Sequence, residues 1–223
     1  MTKEKKFWFQ KFWPQKFWSK KFYLNKKIFA GLISITIFCM PLNYLKYNEL
    51  TQIETKSWND VRKRCKNLTS NFIYPRNMKG AILVTKDNLT GLFPFVGHAA
   101  IILNSRQVIQ ASPLGGVHYG PNDWDTSKVT CYCVIPKNAT QKNCNDAANW
   151  AQKQIGKNYN VLFNTWKNLK AKNFYCTQII WAAYYITNKI DIAPKHPQIL
   201  FPVNLLNDEY ATNLIYYKDA KYE

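Results

Sequence analysis

The chain has 223 residues, enough for one well-formed domain with extensions or two small domains, and no more. Its 31 Lys and Arg against 13 Asp and Glu give a net charge of +18, so the partners it suggests are anionic: a membrane surface, nucleic acid or an acidic polymer. The excess is uneven, since residues 1–27 hold nine lysines and one acid, or +8, which leaves +10 for the rest of the chain.

Residues 1–27 carry KFWFQ, KFWPQ, KFWSK and KFYLN from Lys6, Lys11, Lys16 and Lys21, a repeat of five. Five matches neither the helical nor the strand period, so the repeat presents no single face for a core. Lysines alternating with Phe and Trp suit the lipid headgroup region, although the same composition can stack on single-stranded nucleic acid. The run that follows favours lipid over nucleic acid. Ile28 to Leu42 contains no charge, and fifteen helical residues cover roughly 22 Å of a ~30 Å hydrocarbon core. Extension to Leu45 approaches a spanning length, with Lys26 and Lys27 placed to snorkel. No small-residue cleavage site follows, and Phe38 before Cys39 spoils a lipoprotein signal. Residues 28–45 are thus expected to be an uncleaved single-pass anchor. Its lysine-rich end is expected in the cytoplasm and the rest of the chain outside it.

Residues 46–77 read as a polar linker with one surface helix over SWNDVRKRCKNL. Short β-rich runs come next: AILVTKD, then GHAAIILN and RQVIQAS, separated at Asn104–Ser105 as an antiparallel hairpin, then GGVHYG and KVTCYCVIP. They predict a meander of about five strands. NCNDAANWAQKQIG predicts a helix capped by Asn143 or Asn145, ending at Gly156, with Ala147, Ala148, Ala151 and Ile155 on one face. CTQIIWAAYYITNKI is apolar nearly all round and predicts a central helix. HPQILFPVNLL predicts a strap laid over the domain beside the pocket, and residues 208–223 a tail.

Cys176 heads the apolar helix. In a first turn, unpaired backbone N–H groups stabilise a thiolate, whereas most buried cysteines are inert hydrophobes. A base is needed, and the chain has three histidines: His98, His118 and His196. His98 starts a core strand. Gln110 lies twelve residues on, across the hairpin and on the same side, where an amide can orient an imidazole. Cys176, His98 and Gln110 are therefore a candidate nucleophile, base and orienter, while His118 on its strand and His196 in a Pro-flanked loop read as structural. The three histidines are too scattered for a metal-ligand motif, and the chemistry calls for no cofactor. Cys131 and Cys133 share a strand face, and Cys65 and Cys144 are a possible cross-fold pair. The sequons at Asn67, Asn88 and Asn138 read as accidents of an Asn-rich chain.

GHAAIIL, RQVIQASPLGGV, AANWAQKQIGKNYN and FYCTQIIWAAY together resemble the YiiX/YebB-like family of circularly permuted, NlpC-type papain-like cysteine hydrolases. In the unpermuted order a G-x-P-Y segment and the Cys helix precede the His strand. Here the His hairpin comes first, and Gly156-Lys157-Asn158-Tyr159 and Cys176 follow. The resemblance covers roughly residues 78–207. It implies an α+β permuted papain-like fold, an antiparallel meander packed on a central Cys-bearing helix, to which the anchor is added. It also implies Cys176 as nucleophile, His98 as general base and Tyr159 beside the oxyanion. The third position is often glutamate in the family, and here it is Gln110, which orients without charge. Asn158 stands where the family often has proline. The expected function is a membrane-anchored cysteine hydrolase or acyltransferase that cleaves an amide or ester, of cell-wall peptide or lipid type. The alternative is a membrane-tethered binding module of the same fold that has lost turnover, which Gln110 favours.

Overall fold

Gly97 shows how this chain builds a sheet. At φ +71° it adopts a backbone that side chains rarely take, and a Cβ there would lie 2.4 Å from the Thr85 carbonyl oxygen. Glycine lets the chain turn tightly against its neighbour and start a strand at His98. The structure, a computed structural model, describes residues 57–65, 73–87, 97–160, 167–193, 199–207 and 212–219, all within a compact unit spanning Leu50–Glu223. The expected anchor at 28–45, the repeat before it, His196, and the sequons at Asn67 and Asn88 lie outside the described residues. No helix among the described residues is long and apolar enough to cross a membrane.

Helix α1 covers residues 57–65. The strands are β1 (Ile82–Thr85), β2 (His98–Ile102), β3 (Gln107–Ser112), β4 (Gly116–Pro121) and β5 (Thr130–Pro136), with a short helix α2 (Trp124–Ser127) before the last. Helices α3 (Gln141–Gln152), α4 (Cys176–Asn188) and α5 (Asn204–Asn207) follow, and the final strand is β6 (Thr212–Asp219). The sheet is antiparallel throughout, in the order β4-β3-β2-β1-β5-β6.

The β2–β3 hairpin turns as its sequence implies. Asn104 accepts from the backbone N–H groups of Arg106 and Gln107, both at 2.9 Å, and this Asx-type turn sets the register that places Ala100 opposite Gln110. One sheet face buries Ile82, Val84, Ile101, Ile109, Tyr132 and Val134 against the helices. The other buries Leu83, Ala100, Ile102, Val108, Cys131 and Cys133 beneath Trp124 and Tyr216. Helix α4 is buried from Cys176 to Tyr184, the central position its composition implies.

Four expectations need correction. The helix in 46–77 is a surface helix on one side only: Asn59, Asp60 and Lys63 are exposed, while Trp58, Val61 and Cys65, at i, i+3 and i+7, are buried in the core. Thr140, rather than Asn143 or Asn145, caps α3. Its hydroxyl accepts from the Asn143 N–H at 3.2 Å while Asn143 Oδ1 accepts from the Thr140 N–H at 2.9 Å, a reciprocal box that makes Asn143 the third helical residue. That helix stops at Gln152, so Gly156, at φ +86°, ends the turn that follows it. Residues 208–223 are not merely a tail, because β6 pairs along β5 and makes a sixth strand. A register break at Cys133/Val134 interrupts its pattern, and among the described residues only one of its edges is paired, so no clean alternation marks it. Cys65 and Cys144 are both free thiols.

Candidate active site

His98 opens β2 and is 5 % exposed. Its Nε2 lies 2.9 Å from Gln110 Oε1, so the base and orienter predicted from the hairpin are joined directly. The Trp124 ring covers the imidazole at a centroid distance of 5.8 Å, and the Lys128 ammonium sits over that indole. Burial is the main force on the ring. It lowers the His98 pKa from 6.5 to about 4, with Lys128 and His118 adding to the effect and the Gln110 hydrogen bond opposing it. The imidazole is therefore neutral at pH 7, as a general base must be.

A third side chain completes the row. His118, on β4 opposite Gln110, places Nε2 at 3.1 Å from Gln110 Nε2 and Nδ1 at 3.0 Å from the Gly116 carbonyl oxygen. The sequence reading set His118 aside. The available signal was its parity with Gln110 across the turn at 113–115, which is visible only once β3 and β4 are in register.

Cys176 is the first residue of α4 and is 5 % exposed. Tyr159 lies near it. Burial, then the proximity of Cys176 and Tyr175, raises the Tyr159 pKa well above the phenol range, so its hydroxyl stays a neutral donor. The main chain explains the proximity. Residues 158–160 bridge to Phe174, with the Phe174 N–H donating to the Asn158 carbonyl and the Asn160 N–H to the Phe174 carbonyl. Asn160 also donates to Gln178 Oε1 at 3.0 Å. The strap reaches the same place: the Thr177 hydroxyl donates to the Leu200 carbonyl, and the Leu200 N–H donates to the Tyr175 hydroxyl at 3.3 Å.

The two halves belong to different faces of the sheet. By alternation His98, Gln110 and His118 point to the side of Ala100, Val108 and Trp124, while the apolar residues of α4 pack on the other side. The main chain links the two sides at the edge of β4. The Val117 N–H donates to the Lys157 carbonyl and the Gly156 N–H to the Val117 carbonyl, so the segment leading to Tyr159 runs along the free edge of β4. That segment in turn holds the residues entering Cys176. Gly116, at φ +57°, permits this approach, since a Cβ there would meet the Lys157 carbonyl oxygen at 2.2 Å. Among the described residues no three His, Cys, Asp or Glu side chains gather as a metal centre would need.

The model of the family described as "Permuted papain-like amidase enzyme, YaeF/YiiX, C92 family" matches residues 68–221. No curated protein matches the chain. A solved structure described as the metalloprotein yiiX of Escherichia coli O157:H7 is similar at 13% identity and a TM-score of 0.49, covering 64% of this chain and 98% of its own. The family match takes in every strand, the His98 hairpin and the Cys176 helix, and the chain belongs to the permuted papain-like amidase family of cysteine hydrolases.

Proposed function

We propose that the protein is a membrane-tethered cysteine hydrolase or acyltransferase that forms an acyl-thioester on Cys176. His98 removes the thiol proton, and the sulfur attacks the carbonyl of an amide or ester. The tetrahedral oxyanion is met by the Tyr159 hydroxyl and the Cys176 backbone N–H. Collapse of the intermediate expels the amine or alcohol, which takes the proton from His98. Water or a second nucleophile, deprotonated by His98, then releases the acyl group. The observation that carries this reading is the 2.9 Å bond by which Gln110 orients a buried, neutral His98. The lysine- and aromatic-rich stretch at 1–27 and the uncharged run at 28–42 support a single-pass tether with the domain outside the cytoplasm. An acyl substrate of the envelope, cell-wall peptide or lipid type, suits that position.

The test is alkylation of Cys176 by iodoacetamide in the full chain, mapped by peptide mass, against pH. With His98→Ala alongside, slower labelling near neutral pH in the variant supports the pair. Equal labelling in both, rising only near the free-thiol pKa of about 8.5, removes the catalytic reading. What remains then is a tethered binding module, a reading that the uncharged Gln110 favours.

A further inference from the structure

The row His98–Gln110–His118 ends on a backbone carbonyl, and that end determines the rest. The Gly116 oxygen can only accept, so His118 Nδ1, at 3.0 Å, carries a proton. In a neutral imidazole the other nitrogen must then accept. Gln110 therefore turns its NH2 toward His118 Nε2, at 3.1 Å. Its carbonyl oxygen is left facing His98, whose Nε2, at 2.9 Å, must be the donor. One amide orientation and one tautomer of each histidine satisfy all three contacts.

We propose that His118 is a positioning residue for the reaction: while neutral, it locks the Gln110 amide and thereby keeps Nδ1 of His98 free to take the Cys176 proton. This rests on His98 acting as the base for Cys176. The surroundings leave room for the row and little else. A Cβ at Gly120 would lie 2.4 Å from Gln110 Nε2, and one at Gly115 would lie 2.9 Å from His118 Nδ1. Both groups pass where only glycine leaves space.

Acidification reverses the lock. A second proton on His118 makes both of its nitrogens donors. The amide must then rotate and offer its oxygen to His118, and its NH2 faces His98. Nε2 of His98 becomes the acceptor, so the single proton of that neutral ring moves to Nδ1 through solvent, and the base is blocked. Charged and titratable groups surround the row: His98 on β2, Lys128 after α2 above Trp124, and Lys157 on the segment paired with β4, with Tyr159 and Cys176 beyond it.

The experiment uses the full chain with 15N-labelled histidine. It records tautomer-sensitive ring shifts and the rate of Cys176 alkylation against pH. The wild type is expected to show Nε2–H on His98 at neutral pH, giving way to Nδ1–H as His118 protonates, with alkylation falling in step. His118→Ala should mix the His98 tautomers and slow alkylation about tenfold, the loss of one ordinary hydrogen bond. His118→Gln, whose amide can donate or accept but does not titrate, should abolish the acid switch. Gly120→Ala, whose Cβ would press on the Gln110 amide at 2.4 Å and more loosely on Val108 Cγ2 at 3.2 Å, should mimic His118→Ala with the melting temperature little changed. An unchanged His98 tautomer and an unaltered pH profile in His118→Ala overturn the proposal, provided that His98→Ala still slows alkylation. If His98→Ala has no effect either, the catalytic reading has failed instead.

Discussion

At Gln110 the protein departs from a carboxylate. A glutamate there would hold its charge beside His98 Nε2 and stabilise the imidazolium. The amide only aligns the ring, and burial takes the His98 pKa down to about 4. The imidazole is thus neutral at rest rather than one half of an ion pair. Gln110→Glu should raise the pKa of His98, because the carboxylate accepts from its ring and stabilises the charged form. The pH profile of Cys176 alkylation is then expected to move to the acid side, by a unit or more on the order of one close charge pair. A profile that stays in place would mean that the residue at 110 does not govern the base. The hydroxyl of Tyr159 is the complementary case, held protonated by burial where a donor is wanted.

Helix α4 carries Cys176 at one end and a strained cap at the other. Lys189 closes it at φ 57°, ψ 23°, a left-handed conformation that costs a side-chain-bearing residue roughly 1 kcal/mol. Its N–H still donates to the Tyr185 carbonyl at 3.0 Å, and its ammonium lies over the Tyr185 ring at 5.6 Å. Glycine keeps the backbone bond and relieves the strain, at the expense of a surface cation–ring contact worth about half as much. Lys189→Gly is therefore expected to raise the melting temperature slightly, by ~1–2 °C, and to leave Cys176 alkylation unchanged, since the substitution sits thirteen residues from Cys176. Calorimetry and the alkylation assay check the two halves separately. The rest of the helix is held by tertiary bonds: Trp181 Nε1 donates to Asp191 Oδ1 at 3.0 Å and the Tyr184 hydroxyl to the Gly80 carbonyl at 2.6 Å.

Over the whole molecule, keeping His98 neutral links folding to pH. Its folded pKa, about 4, lies below the unfolded value of 6.5, so between those values the unfolded chain binds the extra proton. The stability it contributes is complete above about pH 6.5 and is lost as the pH falls toward 4, a difference of about 3 kcal/mol. Urea denaturation at pH 7 and pH 5 should show a clear loss for the wild type and a smaller one for His98→Gln. Equal losses would mean that His98 is not held neutral by the fold. The same burial that lowers its pKa holds its ring against Gln110, so acid sensitivity and ring orientation have one cause.

Local pattern carried much of this protein into view. The hairpin of β2 and β3 was legible because Asn104 sets its own turn, and a twelve-residue offset then puts His98 and Gln110 on one side. The uninterrupted apolar helix behind Cys176 was legible for a similar reason: burial on all sides leaves no polar stripe. Periodicity, however, relates a residue to its neighbours in the chain. It did not show that residues 57–65 pack inward, that Trp124 covers the base, or that β6 completes the sheet. It also did not show that His118 anchors Gln110, because that contact depends on a third strand taking its register beside the second. The sequence by itself determined most of the elements, the family and the candidate pair across one turn. The tertiary structure alone decided the chain of hydrogen bonds behind the base, since each link joins strands whose relative placement is settled by the packing of the whole sheet.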